Sequence, residues 1–458
     1  MKLLPDLVYL NGIFQEMIAL GVDGRSHLAS IGAAVDPNGA SRLINRAVLP
    51  GLVNAHSHAF QRVIRARTEY RTSASDSFWT WREMMYQAAG RLSAEDLYDA
   101  SRMAFLEMAL SGITAVGEFH YLHHEPDGSS YEDPNLLAKE VVRAARDVGL
   151  RITLLRVAYS RAGFGLPENT KQRRFIEPSS DRFLLNYERL AKDLECDELV
   201  KTGIAPHSVR ALPLQYLKEV VGYARDLDLP VHMHVSEQQG EVEACAAEYG
   251  RRPIELLNSE GILSPRFTAV HAIHVSEECA HSLAAARSSV CACPTTERNL
   301  GDGVVPADMY ARLDVPICFG TDSQVEIDLL EDARELEYHL RLQQQQRAIM
   351  ARPEECEHSA IASRLFASAT EQGANSIGSP GGILEDGGAA DFFSVDLNDP
   401  SIAGAQKENL LEAIVFSSSH SAVRDVFVAG KQIIADGRHR DQDQIIQRFR
   451  KLQQKIWE

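Results

Sequence analysis

Apolar and β-branched residues gather into eight short runs, separated by longer stretches with the spacing of amphipathic helices. The runs are RAVLPGLVNAH, ITAVGEF, RITLLRVAY, LVKTGIAPH, PVHMHVSE, FTAVHAIH, SSVCACPT and VPICFGTDS. Among the helical stretches, SAEDLYDASRMAFLEMALSG opens on Ser93 as N-cap, carries Glu95 and Asp96 in its first turn and stops at Gly112. LLAKEVVRAARDVG, LQYLKEVVGYARDLD and EECAHSLAAARS follow the same pattern. Strands alternating with helices predict an α/β fold, a TIM-like (β/α)8 barrel over residues 49–379. An open doubly wound sheet is the alternative, but no glycine-rich phosphate loop follows the first strand.

The ends read differently. Residues 1–48 and 380–440 hold short alternating runs with Gly and Asp turns, and are predicted to pair into a small β-sandwich. GGILEDGGAADFFSVD reads as hairpin turns and not as a phosphate cradle, because its glycines flank acidic residues and no helix follows. Residues 441–458, with QIIQRFRKLQQKIW, read as a terminal helix, and the glutamine run 343–346 as a solvated helix face.

Composition narrows the class of function. The chain has 458 residues and a formal net charge of -17, which argues against nucleic acid and anionic membranes as partners. A local arginine cluster still permits an anionic small molecule. Seven cysteines without a CxxC pair, with Cys291 and Cys293 on what reads as a buried strand, read as reduced thiols of a cytoplasmic protein. The start MKLLPDLVYLNGIF does not read as a signal peptide, and no run of about 18 apolar residues predicts a membrane span.

Candidate chemistry sits at the predicted strand ends. His56 and His58 end the first strand, and residues two apart on a strand share a face. His232, His234 and Glu237 lie at the fifth strand, His271 at the sixth and Asp322 at the eighth. Alone, His271 reads as a hydrogen-bonded core histidine and Asp322 as a turn residue. In a barrel these ends converge on one mouth, and three imidazoles with one carboxylate form a metal-binding set. Strand geometry leaves open which of His232 and His234 is the ligand.

HxH after strand one, HxxE at strand five, His at six and Asp at eight resemble the mononuclear deaminase branch of the amidohydrolase superfamily. PGLVNAHSHAFQR and GILEDGGAADFFSVD resemble that superfamily's entry to and exit from its barrel. The resemblance implies one divalent metal per subunit, zinc with iron also suited, on His56, His58, His234 and Asp322. The HxxE spacing selects His234 and leaves His232 a layer deeper. A binuclear relative would carry a lysine at the end of strand four, where this chain has APHSVRA; Lys201 stands at the strand's start. In the mechanism so implied, Asp322 takes a proton from the metal-activated water, His271 aims that water, and Glu237 protonates the departing nitrogen.

Polar residues near the mouth point to the substrate. Gln61 and Arg62 follow the HxH pair, Arg82 lies in the aromatic loop SFWTWREMMY, Tyr121 follows strand two, and His207 and Arg210 follow strand four. Two guanidinium forks suit a dicarboxylate. HSHAFQR, FWTWREMMY, GEFHYLHH, APHSVRA, HVSEQ, CPTTERNLGDG and GTDSQVEIDLLEDARELEYHLRL together resemble the formimidoylglutamate deiminase family through nearly the whole chain. That resemblance implies hydrolysis of N-formimidoyl-L-glutamate, with Gln61, Arg82, Tyr121, His207 and Arg210 on the substrate, in a homodimer. Thr295, Glu297 and Asn299, after strand seven, are further expected pocket residues. The rival readings are a deaminase of purine-like rings, a binuclear amidase and a non-catalytic barrel.

Overall fold

Runs that are apolar on both faces form strands covered on both sides, as a closed parallel sheet requires. Eight parallel strands pair in chain order: Leu52–Ser57, Ile113–His120, Arg151–Ala158, Val200–Pro206, Val231–Val235, Phe267–His271, Ser289–Ala292 and Ile317–Phe319. Every residue of the second and third strands is buried. The computed structural model describes residues 1–24, 26–33, 39–70, 78–166, 169–352, 355 and 358–458.

The barrel closes where its last strand meets its first. Asp322 N–H donates to His56 O and His58 N–H donates to Asp322 O, both at 3.0 Å. Gly320 permits this approach: a Cβ there would lie 2.6 Å from His56 Cβ and 2.8 Å from its carbonyl oxygen.

Capping chemistry sets the helix ends. Ser93 and Asp96 form a reciprocal capping box at the start of the helix Ala94–Leu110. Leu136–Val148 ends on Gly149 in the left-handed region, at a φ of 96°.

Both ends of the chain build one nine-stranded sheet. Ser41–Pro50 joins its halves, pairing in parallel with Lys2–Leu10 and antiparallel with Phe392–Asp396. The sheet folds over, so that Gly430 abuts Val22, and Leu20, Val48, Phe392 and Phe427 are enclosed in a core of their own. A buried ion pair fastens this sheet to the barrel: Arg151 Nε lies 2.6 Å from Asp391 Oδ2, and Asp391 also accepts Ala429 N–H.

The last helix, Gln442–Trp457, buries Ile445, Phe449, Leu452 and Ile456 at helical spacing and packs on Ala94–Leu110. Gln453 Nε2 and Trp457 Nε1 both donate to Val63 O, bracing the turn Ala59–Ile64 that follows barrel strand one. Among the described residues, no helix is long and apolar enough to cross a membrane.

Candidate active site

Strand ends from around the ring bring four donors together. His56 Nε2 and His58 Nε2 lie 3.3 and 3.2 Å from Asp322 Oδ1, and His234 Nε2 lies 3.2 Å from His56 Nε2. The four ligand atoms all fall within 4.8 Å of one another, and all four side chains are buried.

The tautomers suit a cation. His58 Nδ1 faces Phe119 O at 3.0 Å and His234 Nδ1 faces His207 O at 3.2 Å. A carbonyl only accepts, so each Nδ1 carries the hydrogen and each Nε2 presents its lone pair. Donors bound at 2.0–2.1 Å around a tetrahedral zinc ion stand about 3.3–3.4 Å apart. The three spacings above lie close to that edge length and all four donors fall within 4.8 Å of one another, so the residues fit one divalent ion. Burial lowers the pKa of His56 to about 3 and that of His234 well below the usual imidazole value, keeping both rings neutral. Burial alone would raise Asp322, but the neighbouring His56 and His58 hold it well below the usual carboxylate range.

The backbone is strained at three of the strand ends. Ser236, His271 and Asp322 have φ of 54°, 70° and 45°, in the left-handed region that non-glycine residues seldom occupy. These kinks turn the chain sharply at the ends of strands five, six and eight.

His271 stands beside the four donors. Its Nε2 is 3.9 Å from both Glu237 Oε1 and Asp322 Oδ2, and its Nδ1 is 3.1 Å from Glu297 Oε1. Burial would lower its pKa, but Glu237, the Glu297 hydrogen bond and Asp322 raise it to about 10. Burial pushes Glu237 upward.

A cavity with about 570 Å³ of empty volume opens over these groups. Its wall includes Gln61, Arg82, Tyr121, His207, Arg210 and Glu237. The Arg82 and Arg210 guanidiniums lie 4.5 and 5.8 Å from the Trp79 ring centroid. Arg82 Nε and Nη1 are buried and meet no hydrogen-bond partner among the described residues. Gln61 Nε2 donates to Tyr121 Oη at 2.8 Å, while the buried Gln61 Oε1 has no partner among those residues. Burial, with Arg210 beside it, holds His207 neutral.

Several sequence expectations are corrected. Arg82 sits in the helix Phe78–Arg91 and not in a loop; Ser77 lies outside the described residues. Strong helix formers from Arg82 to Ala89 support the helix, and Phe78, Arg82, Met85, Tyr86 and Ala89 share its inner face. Arg62 is absent from the cavity wall: it pairs with Glu107 at 2.6 Å and lies over Phe449. Thr295, Glu297 and Asn299 do not line the cavity, because Pro294–Leu300 is a helical turn that presents Leu300 instead. Thr295 N–H donates to Asp332, Glu297 backs His271, and Asn299 bonds Glu69. Two expectations agree with the structure: His232 bonds Ser376 O, away from the four donors, and Lys201 bonds Gly378 O.

Sequence reasoning missed Tyr86, Tyr159 and Phe175 in the wall, together with Gln172, whose Nε2 donates to Tyr86 Oη and Tyr159 Oη at 2.7 Å. Tyr159 follows the third strand, so the strand-end rule that found His271 would have found it. Gln172 and Phe175 lie in a long connection without periodicity and give no such signal.

Residues 47–433 match the model of the amidohydrolase family. The chain is 41% identical over 425 residues to a formimidoylglutamate deiminase of Pseudomonas aeruginosa, covering 92% of each sequence. It is 28% identical over 411 residues to a 5-methylthioadenosine/S-adenosylhomocysteine deaminase of Pyrococcus furiosus, covering 88% of each. The crystal structure of an amidohydrolase from Brucella melitensis superposes with a TM-score of 0.92 at 34% identity over 100% of both chains. An adenosine deaminase from Xanthomonas campestris with bound zinc superposes at 0.82 with 22% identity, over 99% of this chain and 98% of that one, a likeness of fold.

Proposed function

The chain belongs to the amidohydrolase family, and from that premise we propose that it hydrolyses N-formimidoyl-L-glutamate to N-formyl-L-glutamate and ammonia, the deiminase step of histidine degradation. The observation that carries the substrate is Arg82: its Nε and Nη1 are buried and unpartnered among the described residues, in the wall that also holds Arg210 and the metal-binding histidines. A buried guanidinium without an anion is costly, and a carboxylate supplies the match. A purine offers no such group.

The metal is zinc in this reading, because three imidazoles and one carboxylate are a zinc donor set; iron suits the same donors. Held by His56, His58, His234 and Asp322, the ion supplies Lewis-acid activation of water at neutral pH. Arg82 and Arg210 bind the two carboxylates of the substrate and so fix which amidine nitrogen faces Glu237. Gln61 Oε1 accepts a substrate N–H. Asp322 Oδ2 takes a proton from the attacking water, and Glu237 delivers protons to the terminal nitrogen. The water oxygen bonds to the formimidoyl carbon, the bond to the terminal nitrogen breaks, and both water hydrogens leave in ammonia. We place the enzyme in the cytoplasm as a homodimer.

The test is ammonia release by zinc-loaded protein from N-formimidoyl-L-glutamate, with N-formimidoyl-L-aspartate and adenosine alongside. Preferred turnover of the glutamate compound is expected. Turnover of adenosine alone would overturn the dicarboxylate reading and leave the metal chemistry standing.

A further inference from the structure

A chain of hydrogen bonds runs beside the metal-binding residues and takes no part in the chemistry above. Asn54 Nδ2 donates to Thr321 Oγ1 at 2.7 Å, and that hydroxyl donates to Gln324 Oε1 at 3.0 Å. Gln324 Nε2 donates to Ser57 Oγ and to Asp322 O, each at 2.9 Å. The Ser57 hydroxyl donates to Glu118 Oε2 at 2.6 Å, and Glu118 Oε1 accepts Ala59 N–H at 2.8 Å. Each hydroxyl accepts once and donates once, so the direction of the chain is fixed and it ends on the Glu118 carboxylate. Asn54, Ser57, Glu118, Thr321 and Gln324 are each 2% exposed or less.

The placement is specific. Ser57 and Ala59 flank His58, so the two oxygens of Glu118 hold the chain on both sides of one metal-binding imidazole. Ser57 also pairs with Asp322 across the barrel seam, and Gln324 holds the Asp322 carbonyl. No ion pair to a lysine or arginine accompanies Glu118 among the described residues, where its influences are burial, Ser57, Ala59 and His58. A carboxylate taken out of water without a cation is unfavourable. A divalent ion on the neighbouring ligands would supply that cation.

We propose that Glu118 is a positioning residue for the metal centre, holding His58 through Ser57 and Ala59 and coupling that hold to Asp322 through Gln324. The proposal rests on the reading of His56, His58, His234 and Asp322 as ligands.

The test is Glu118→Gln, which keeps the shape and removes the charge and one acceptor. Four quantities are measured: zinc affinity by competition with a chelator, the melting temperature of the metal-free protein, and kcat and KM of the zinc-loaded protein. Zinc affinity is expected to fall about ten- to hundredfold. The melting temperature of the metal-free protein should change little, since the buried charge removed offsets the acceptor lost to Ser57 or Ala59, and KM should stay within about twofold because Glu118 does not line the cavity. Unchanged zinc affinity, or a loss matched by a lower metal-free melting temperature, would make Glu118 an ordinary packing residue and overturn the proposal. Should Glu118→Gln fail to fold, Ser57→Ala, which deletes the hydroxyl between Gln324 and Glu118 and keeps the charge, is put through the same measurements: zinc affinity is expected to fall with KM within about twofold, and unchanged zinc affinity would overturn the proposal. A wild-type protein that takes up no zinc is a different failure: it removes the ligand reading itself.

Discussion

Nδ1 of His271 donates to Oε1 of Glu297 across 3.1 Å, and the other nitrogen of the ring looks toward Glu237 and Asp322, 3.9 Å from each. Glu297 also accepts Cys293 N–H at 2.9 Å, so the carboxylate that orients the ring is itself fixed. Burial would make this imidazole a weak base; Glu237, Glu297 and Asp322 raise its pKa to about 10. Removing one of those negative charges lowers it. Glu297→Gln is therefore expected to reduce kcat about ten- to hundredfold, leave KM nearly unchanged and shift the His271 limb of the pH–rate profile to lower pH. A profile that does not move would detach Glu297 from His271.

Glu237 is buried, and burial raises its pKa, which favours the protonated form that a general acid needs. Its neutral isostere binds but cannot shuttle. Glu237→Gln should lower kcat by about 10²–10⁴ with KM within a few-fold of wild type. Steady-state ammonia release measures both, and a change in KM alone would move Glu237 from proton transfer to binding.

In the proposed reading, Arg82 and Arg210 act on the substrate's carboxylates and touch no reacting atom. A hydrogen bond to a charged group contributes about 1.5–3 kcal/mol. Arg82→Met and Arg210→Met should each raise KM roughly ten- to hundredfold for the dicarboxylate, with the smaller effect on kcat. Neither should alter zinc stoichiometry, which metal analysis of the purified variants checks.

The joint between the barrel and the terminal sheet is a separate matter of stability. Arg151 and Asp391 form a pair whose side chains are 10% and 0% exposed. Arg151→Met leaves Asp391 buried without its cation, at a cost of about 3–5 kcal/mol. Urea denaturation is expected to show that loss, while kcat per folded molecule stays at the wild-type value. A midpoint unmoved by the substitution would mean that water reaches Asp391.

The parts of this protein legible in its sequence are those written in short-range periodicity. Alternation of strand and helix gave the barrel, and Ser93, Asp96 and Gly112 marked one helix as they stand in the structure. His56 and His58 were visible because two residues apart on a strand face the same way. What escaped depends on partners distant in the chain. Glu118 meets Ser57 61 residues away, and Gln324 meets Ser57 267 residues away. No local pattern encodes either bond. Arg82 escaped as an element because the aromatic crowd around it reads as a loop, although its own stretch has helix-forming residues on a buried face. Glu297 was legible as a polar residue near the mouth, but a single turn of helix decides whether such a residue faces the cavity or the ring behind it.

The barrel seam also has a consequence in time. Asn54 and Thr321, which hydrogen-bond across it, lie 267 residues apart. His56 and Asp322 meet at the same seam, so the metal-binding set unites nearly the first and nearly the last residues of the barrel. A ribosome adding about 5–20 residues per second spends on the order of ten seconds or more between them. Until Asp322 emerges, the nascent chain holds histidines without their carboxylate, and contacts of such long loop length close slowly. Metal capture by the full donor set is therefore a late event in the life of each new chain.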